Sequence, residues 1–400
     1  MSGTTSGGPP APADARRAAA DLANTVQTLL RQGQLEQSER TLGEYLEGAP
    51  GEPQALYLLA VVHRYQRRYE DADAVLIRLI GERPDYARAY QEQGHLMRAL
   101  GEHRRAIDAF ARAVHLNPAL LASWEALQGL LEAQGQRARA QHVARERAKH
   151  AHLPKPLLTV HELIADGRLL QAEQRCRDFL RRAPRHVPAM RLLARIALEL
   201  GVLDDAEFLL ESAVAFAPED VDAHVDYITA LRKRQRFEKA QEAAAALLAR
   251  DPDDPRFQSI HAVGTMQLGD FDGALAGFER ILQRLPGDPI TLTSKGHALK
   301  TSGRYEEAVA AYRAAIDQRP THGEAWYSLA NLKTYRFDDA AVERMGALEG
   351  RVDLSHQDRI YLSFALGKAY EDRQSYEASF AHYARGNEAK RRTSRYDAAR

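Results

Sequence analysis

Apolar residues recur at three-to-four-residue spacing along most of the chain, as in Tyr90, Gly94 and Met97, or Leu292, Gly296 and Leu299. That spacing puts them on one face of an α-helix. The helical stretches are punctuated on a fixed ruler. Pro50, Pro84 and Pro118 stand 34 residues apart, and Pro184, Pro218, Pro252, Pro286 and Pro320 continue at the same interval. Between Pro118 and Pro184 the gap is 66 residues, two periods less two, which marks an irregular unit. Twelve residues before the proline stands Ala72, Ala106, Ala172, Ala206, Ala240, Ala274 or Ala308, with Ser38 in the first unit. Seventeen before it stands Gly33, Gly101, Gly167, Gly201, Gly269 or Gly303, and eight before it a larger apolar residue such as Leu76, Phe110, Leu210, Phe278 or Tyr312. Each period predicts a helical hairpin. The first helix ends at the glycine, which takes a left-handed cap without a Cβ clash. In the second helix the alanine lets the two backbones approach, and the closing proline stops it. A hairpin of this size cannot bury its own apolar face, so the units must stack.

The combination Ala-x3-Phe/Tyr with a closing proline, seen in Ala106, Phe110 and Pro118, in Ala274, Phe278 and Pro286, and in Ala308, Tyr312 and Pro320, resembles the tetratricopeptide repeat. The resemblance implies an all-α fold, a right-handed superhelical solenoid of about ten hairpins. Nine units run from about residue 19 to residue 320. The expected organisation is a flexible polar tail over 1–18, repeats 1–4 over 19–152, repeats 5–9 over 153–320, and irregular helices with a final hairpin over 321–400. The break near 153 follows from the two prolines at 154 and 156 and from the weak unit before them, in which Ala144 and Arg147 occupy apolar places.

Beyond Pro320 the ruler slips. The segments GEAWYSLANLK (323–333) and DRIYLSFALGKAYEDRQSYEASFAHYARGNEAKR, followed by Tyr396-Asp397, resemble the junction in bacterial repeat-sulfotransferases, where a tetratricopeptide array leads into a sulfotransferase domain. That resemblance implies a repeat half that recruits protein acceptors, with a sulfotransferase catalytic domain as partner. The family's donor-phosphate loop, of Gly-x-Pro-Arg-Ser-Gly-Thr type, does not occur in the 400 residues, so no catalytic residue carries over.

Composition narrows the function classes. The 55 Lys+Arg balance 55 Asp+Glu, which removes the net attraction that nucleic-acid or anionic-membrane binders carry, so neither partner is expected. One cysteine, Cys176, forms no internal disulfide and no stretch is apolar enough for a membrane helix, so a cytoplasmic protein is the expectation. Motifs for phosphate, dinucleotide or nucleophilic-serine chemistry are missing, and His150 with His152 do not complete a metal shell. Neither a catalytic site, a cofactor nor a metal is expected, and the chain reads as a non-enzyme. Cys176 reads as a packed core thiol, and Trp124 and Trp326, at equivalent places in their units, as packed aromatics.

What remains is the groove. Each unit can be numbered from the third residue after its proline, which makes Ala87, Val187, Val221, Pro255, Pro289 and Gly323 position one. The family resemblance implies that positions two, five, nine and twelve of the first helices line a concave peptide-binding surface. Those positions supply Arg88, His95, Arg98, Arg191, Arg195, Arg232 with adjacent Lys233, His297, Lys300, Tyr327 and Asn331. Their donors imply a protein or peptide ligand, acidic in character. A glycosyltransferase-type array would carry asparagines at position six, where this chain has Leu58, Glu92, Ala126, Leu192, Asp226, Ile260, Ser294 and Ser328.

Overall fold

The computed structural model describes residues 12–332, 334–351 and 354–393, and among these the regular secondary structure is entirely α-helical. Residues 12–18 are not tail but the first turns of α1, where the Ala-rich run 18–20 favours helix. Residues 1–11, and Tyr396 and Asp397 near the other end, lie outside the described residues.

The chain divides into two compact units, residues 1–172 and 173–400, the boundary falling inside a helix rather than in the Pro-containing connector near 153. The first unit holds the hairpins α1 (Pro12–Arg31) with α2 (Leu35–Gly48), α3 (Pro53–Tyr65) with α4 (Tyr69–Glu82), α5 (Ala87–Ala99) with α6 (His103–Leu116) and α7 (Leu121–Ala133) with α8 (Arg137–Ala151), then α9 (Lys155–Ala165). Helix α10 (Leu169–Arg182) spans the boundary. The second unit holds α11 (Val187–Leu200) with α12 (Leu203–Phe216), α13 (Val221–Lys233) with α14 (Phe237–Arg250), α15 (Pro255–Gln267) with α16 (Phe271–Arg284) and α17 (Pro289–Thr301) with α18 (Tyr305–Gln318), followed by α19 (Gly323–Ala330), α20 (Asp339–Glu349), α21 (His356–Asp372) and α22 (Tyr376–Thr393). From α1 to α8 and from α11 to α19 each helix packs on the next, and first helices of successive repeats also touch, as α3 does α5 and α15 does α17. In each unit the hairpins thus stack as a solenoid.

Three recurring devices build the hairpin. Gly33, Gly101, Gly135, Gly167, Gly201, Gly269 and Gly303 all end a first helix with positive φ, between 69° and 88°. Units without glycine there put Arg67, Gln235 and Gln374 into the same left-handed state. Next, Ala106, Ala274 and Ala308 are fully buried, and Phe110, Tyr312 and Tyr383 lie on Gly94, Gly296 and Gly367, where an added Cβ would run into the ring. Finally, in five repeats the position-four side chain donates a hydrogen bond to the carbonyl of the proline six residues before it, while Leu56, Met190 and Leu292 hold that position without a donor. Tyr90, Trp124, His224, Gln258 and Trp326 do this to Pro84, Pro118, Pro218, Pro252 and Pro320 at 2.7–3.2 Å. The polar ends of the two tryptophans therefore fasten the joint between successive repeats while their rings pack.

Left-handed backbone costs an L-residue about 1–2 kcal/mol that glycine does not incur, set against glycine's greater chain entropy when unfolded. Gln235 is exposed, with φ 58°. Gln235→Gly is therefore expected to stabilise the chain by about 0.5–1 kcal/mol, read as a raised thermal midpoint. A lowered midpoint would show that the side chain matters there.

After α19 the repeat fails. Residues 334–338 run without helix, and Phe337 is buried between Tyr335 and Trp326, its ring centroid 5.0 Å and 6.1 Å from theirs. Helix α21 then packs directly on α19 and forms the closing hairpin with α22.

Candidate functional site on the first-helix face

Consecutive first helices touch through the positions singled out in the sequence and their neighbours. Arg64 on α3 pairs with Glu92 on α5, Arg191 on α11 with Asp226 on α13, and His297 on α17 with Glu324 on α19. Tyr327 on α19 stacks on Tyr361 of α21 at 5.4 Å between centroids. Within each unit these helices therefore present one shared polar and aromatic face.

In the first unit Glu92 is only 3% exposed and is held by the Nε and Nη2 of Arg64. Burial pushes its carboxyl above the ordinary range, and the Arg64 bonds oppose that rise. Tyr57 and Tyr86 meet edge-on at 6.3 Å, with Tyr86 donating to Gln54 at 2.7 Å. Burial raises both phenols, opposed in part by nearby Arg88, itself half-buried. His95 sits edge-on to Phe110 at 5.0 Å, with its Nδ1 3.4 Å from the Arg98 guanidinium. Burial, with the charges of Arg64 and Arg98, depresses His95 to about 4, so its imidazole is neutral at pH 7. His95 and Arg98 line a hollow of about 410 Å³ with Ala122, Glu125, Ala126, Gly129 and Leu130.

In the second unit Arg191 is engaged by three carboxylates of its own chain, Asp226 at 2.7 Å, Asp222 at 3.7 Å and Asp220 at 3.9 Å. Arg195 faces Glu199 at 3.5 Å. Arg232 crosses to α15 and donates to the Ile260 carbonyl, while neighbouring Lys233 is exposed. His297 lies 2.9 Å from the Tyr312 hydroxyl and 3.5 Å from Glu324. Lys300 is half-buried, and Asn331 is exposed at the end of α19. Phe364 joins Tyr327 at 6.0 Å to make an aromatic patch.

The carboxylates Glu92, Asp226 and Asp220, and the cation Arg64, were not among the residues picked from sequence. A signal existed for the first pair: a cation at position twelve followed 28 residues later by an acid at position six, as Arg64 and Glu92 are. Elsewhere the chemistry is structural. Cys176 is fully buried, points its thiol at the Ala189 carbonyl 3.3 Å away, and is pushed up to about 12 by burial. Asp254 caps α15 through the Arg256 amide at 2.8 Å. Among the described residues no group of three or more His, Cys, Asp or Glu could hold a metal, and no helix is long and apolar enough to cross a membrane.

A helical-hairpin solenoid with a polar first-helix face defines a class of repeat scaffold, and comparison with known proteins gives the family. Tetratricopeptide-repeat profiles match residues 24–87, 60–120, 163–220 and 203–263, and a further TPR-repeat profile matches 296–333. The chain belongs to the tetratricopeptide-repeat proteins. Two curated relatives are protein bimA of Emericella nidulans, 24% identical over 47% of this chain and 24% of that protein, and the cytochrome c-type biogenesis protein CycH of Rhizobium meliloti, 33% identical over 24% and 26%. The chain thus spans about a quarter of the length of these relatives. Similar solved structures include MamA, at 19% identity and TM-score 0.36 over 40% of this chain and 94% of that one. A thermophilic TPR protein of Thermus thermophilus, TTC0263, gives 24% and 0.34 over 41% and 90%.

Proposed function

We propose that the chain is a non-catalytic scaffold that binds extended segments of partner proteins along its first-helix faces, in the cytoplasm of a bacterium. The observation that supports this most is the continuity of that face: side chains from successive units meet edge to edge, so one strand of a partner can run past several units and meet donors and rings in series. Arg88, Arg98, Arg232, Lys233 and Lys300 favour acidic segments. The test is a photo-crosslinking amino acid placed at exposed first-helix sites, Thr229 and Asn331, and at exposed second-helix sites, Glu238 and Glu306. Partner capture from the first-helix sites alone, weakened by added salt, is the expected result. Equal capture from all four sites would refute the reading.

A second reading rests on residues 323–397, whose sequence resembles the sulfotransferase junction and whose described part is the interrupted unit and closing hairpin α21–α22. In it the captured partner includes a sulfotransferase catalytic domain. The same crosslinked complex, assayed for labelled-sulfate transfer, separates the two readings.

A further inference from the structure

The position-twelve side chain of a first helix reaches position six of the next first helix, 28 residues on. At Arg64 this reach ends on the Glu92 carboxylate. Arg232 stands in the same place, but position six of the following unit is Ile260, and the guanidinium finds only the Ile260 backbone carbonyl. Among the described residues no carboxylate pairs with Arg232, and its enclosed Nε has no acceptor. A cation partly withdrawn from water without a counter-charge is unfavourable, and an anion arriving there would relieve it.

The surroundings suit such an arrival. The Gln241 amide nitrogen donates to His261 Nε2 at 3.0 Å and to the Thr265 hydroxyl at 2.9 Å, which leaves its buried carbonyl oxygen without a donor. Both the amide and the guanidinium crowd over Gly264, where an added Cβ would run into the Gln241 oxygen and sit 3.3 Å from Arg232 Nη2. Turned end for end, the amide would accept from Thr265 and from His261 in its other tautomer, and would aim its NH2 beside the guanidinium.

We propose that Arg232, supported by Gln241 over Gly264, anchors an anionic side chain of a bound protein segment, which fills the place Glu92 fills beside Arg64. The anion is a carboxylate of Asp or Glu, or the phosphate of a phosphorylated residue; both fit a guanidinium fork. This inference rests on the groove reading above and names what one part of that face selects.

The test uses the full chain and three fluorescein-labelled octapeptides: octaglutamate, a Gly/Ser peptide with two phosphoserines, and the same peptide unphosphorylated. The variants are Arg232→Met, which removes the cation, and Ile260→Glu, which supplies the missing carboxylate from within. Anionic peptides are expected to bind wild type, the neutral one not, and both variants to weaken binding by about tenfold or more. The thermal midpoint is expected to hold or rise in Arg232→Met, which removes the uncompensated charge, and to rise in Ile260→Glu, which pairs it. Preference for octaglutamate or for the phosphopeptide identifies the source of the anion, and competition by inorganic phosphate supports the phosphate. Unchanged peptide affinity in both variants overturns the Arg232 site, while first-helix crosslinking would still uphold the groove. Failure of both anionic peptides to bind wild type overturns it as well, and so does a midpoint lowered in both variants with affinity intact, since Arg232 would then be structural.

Discussion

Arg64→Met is expected to cost about 3–5 kcal/mol, because it strands the Glu92 carboxylate in a site only 3% exposed. The double variant Arg64→Met with Glu92→Met should recover most of the loss, since two apolar side chains of similar volume need no counter-charge. The deficit should also depend on pH. Burial raises the Glu92 carboxyl above its unfolded value, and losing Arg64 removes the opposing influence, so in the variant the folded chain holds a proton that the unfolded chain releases. Stability of Arg64→Met relative to wild type is therefore best below the ordinary carboxylate range and falls as pH rises above it. Unfolding monitored by circular dichroism, with hydrogen exchange of α3–α6 to localise the effect, would check this. A loss under about 1 kcal/mol at pH 7 would show the pair to be dispensable.

Phe110→Ala should be of similar size, about 3–5 kcal/mol, as it empties the seat over Gly94 in a fully buried part of the core. The reverse error, Gly94→Ala, places a methyl 2.7 Å from that ring and should cost about 1–3 kcal/mol. The two sites share one space, so Gly94→Ala combined with Phe110→Leu should lose less than the sum of the single changes, by about 0.5 kcal/mol or more. Strict additivity in thermal or urea unfolding would mean that the glycine is not the ring's seat.

The ruler of prolines made most of the architecture legible in advance, because a period of 34 is imposed by stacking, and stacking constrains every unit alike. It located the helices up to α18, eight packed hairpins among them, and the failure of the pattern after α19. It could not say that Arg67 and Gln235 would take the glycine's left-handed conformation, since nothing in those residue types asks for it; only their place on the ruler does. The proline-carbonyl bonds were hidden for a different reason. Tyr90, Trp124, His224, Gln258 and Trp326 look unrelated as residue types and share only a donor at the right reach. On the candidate face the sequence showed which side chains stand at groove positions, but not which were already engaged. Whether Arg191 is open depends on Asp220, Asp222 and Asp226 one unit away, and charged residues on solvated helix faces are too common for such pairs to stand out without the register.

The bonds that close the joints between units each span six residues, and the ring-over-glycine contacts span sixteen. This part of the seam is thus written within a short stretch of chain, beside the longer pairs such as Arg64 with Glu92. An in-frame duplication or loss of one 34-residue segment would bring or remove these local contacts whole, and would re-pair only the side chains that reach from one repeat to the next. The reach of the recognition surface, and hence the length of partner it can read, is in this architecture a quantity that gene recombination can change in whole steps, without any new interface having to be invented.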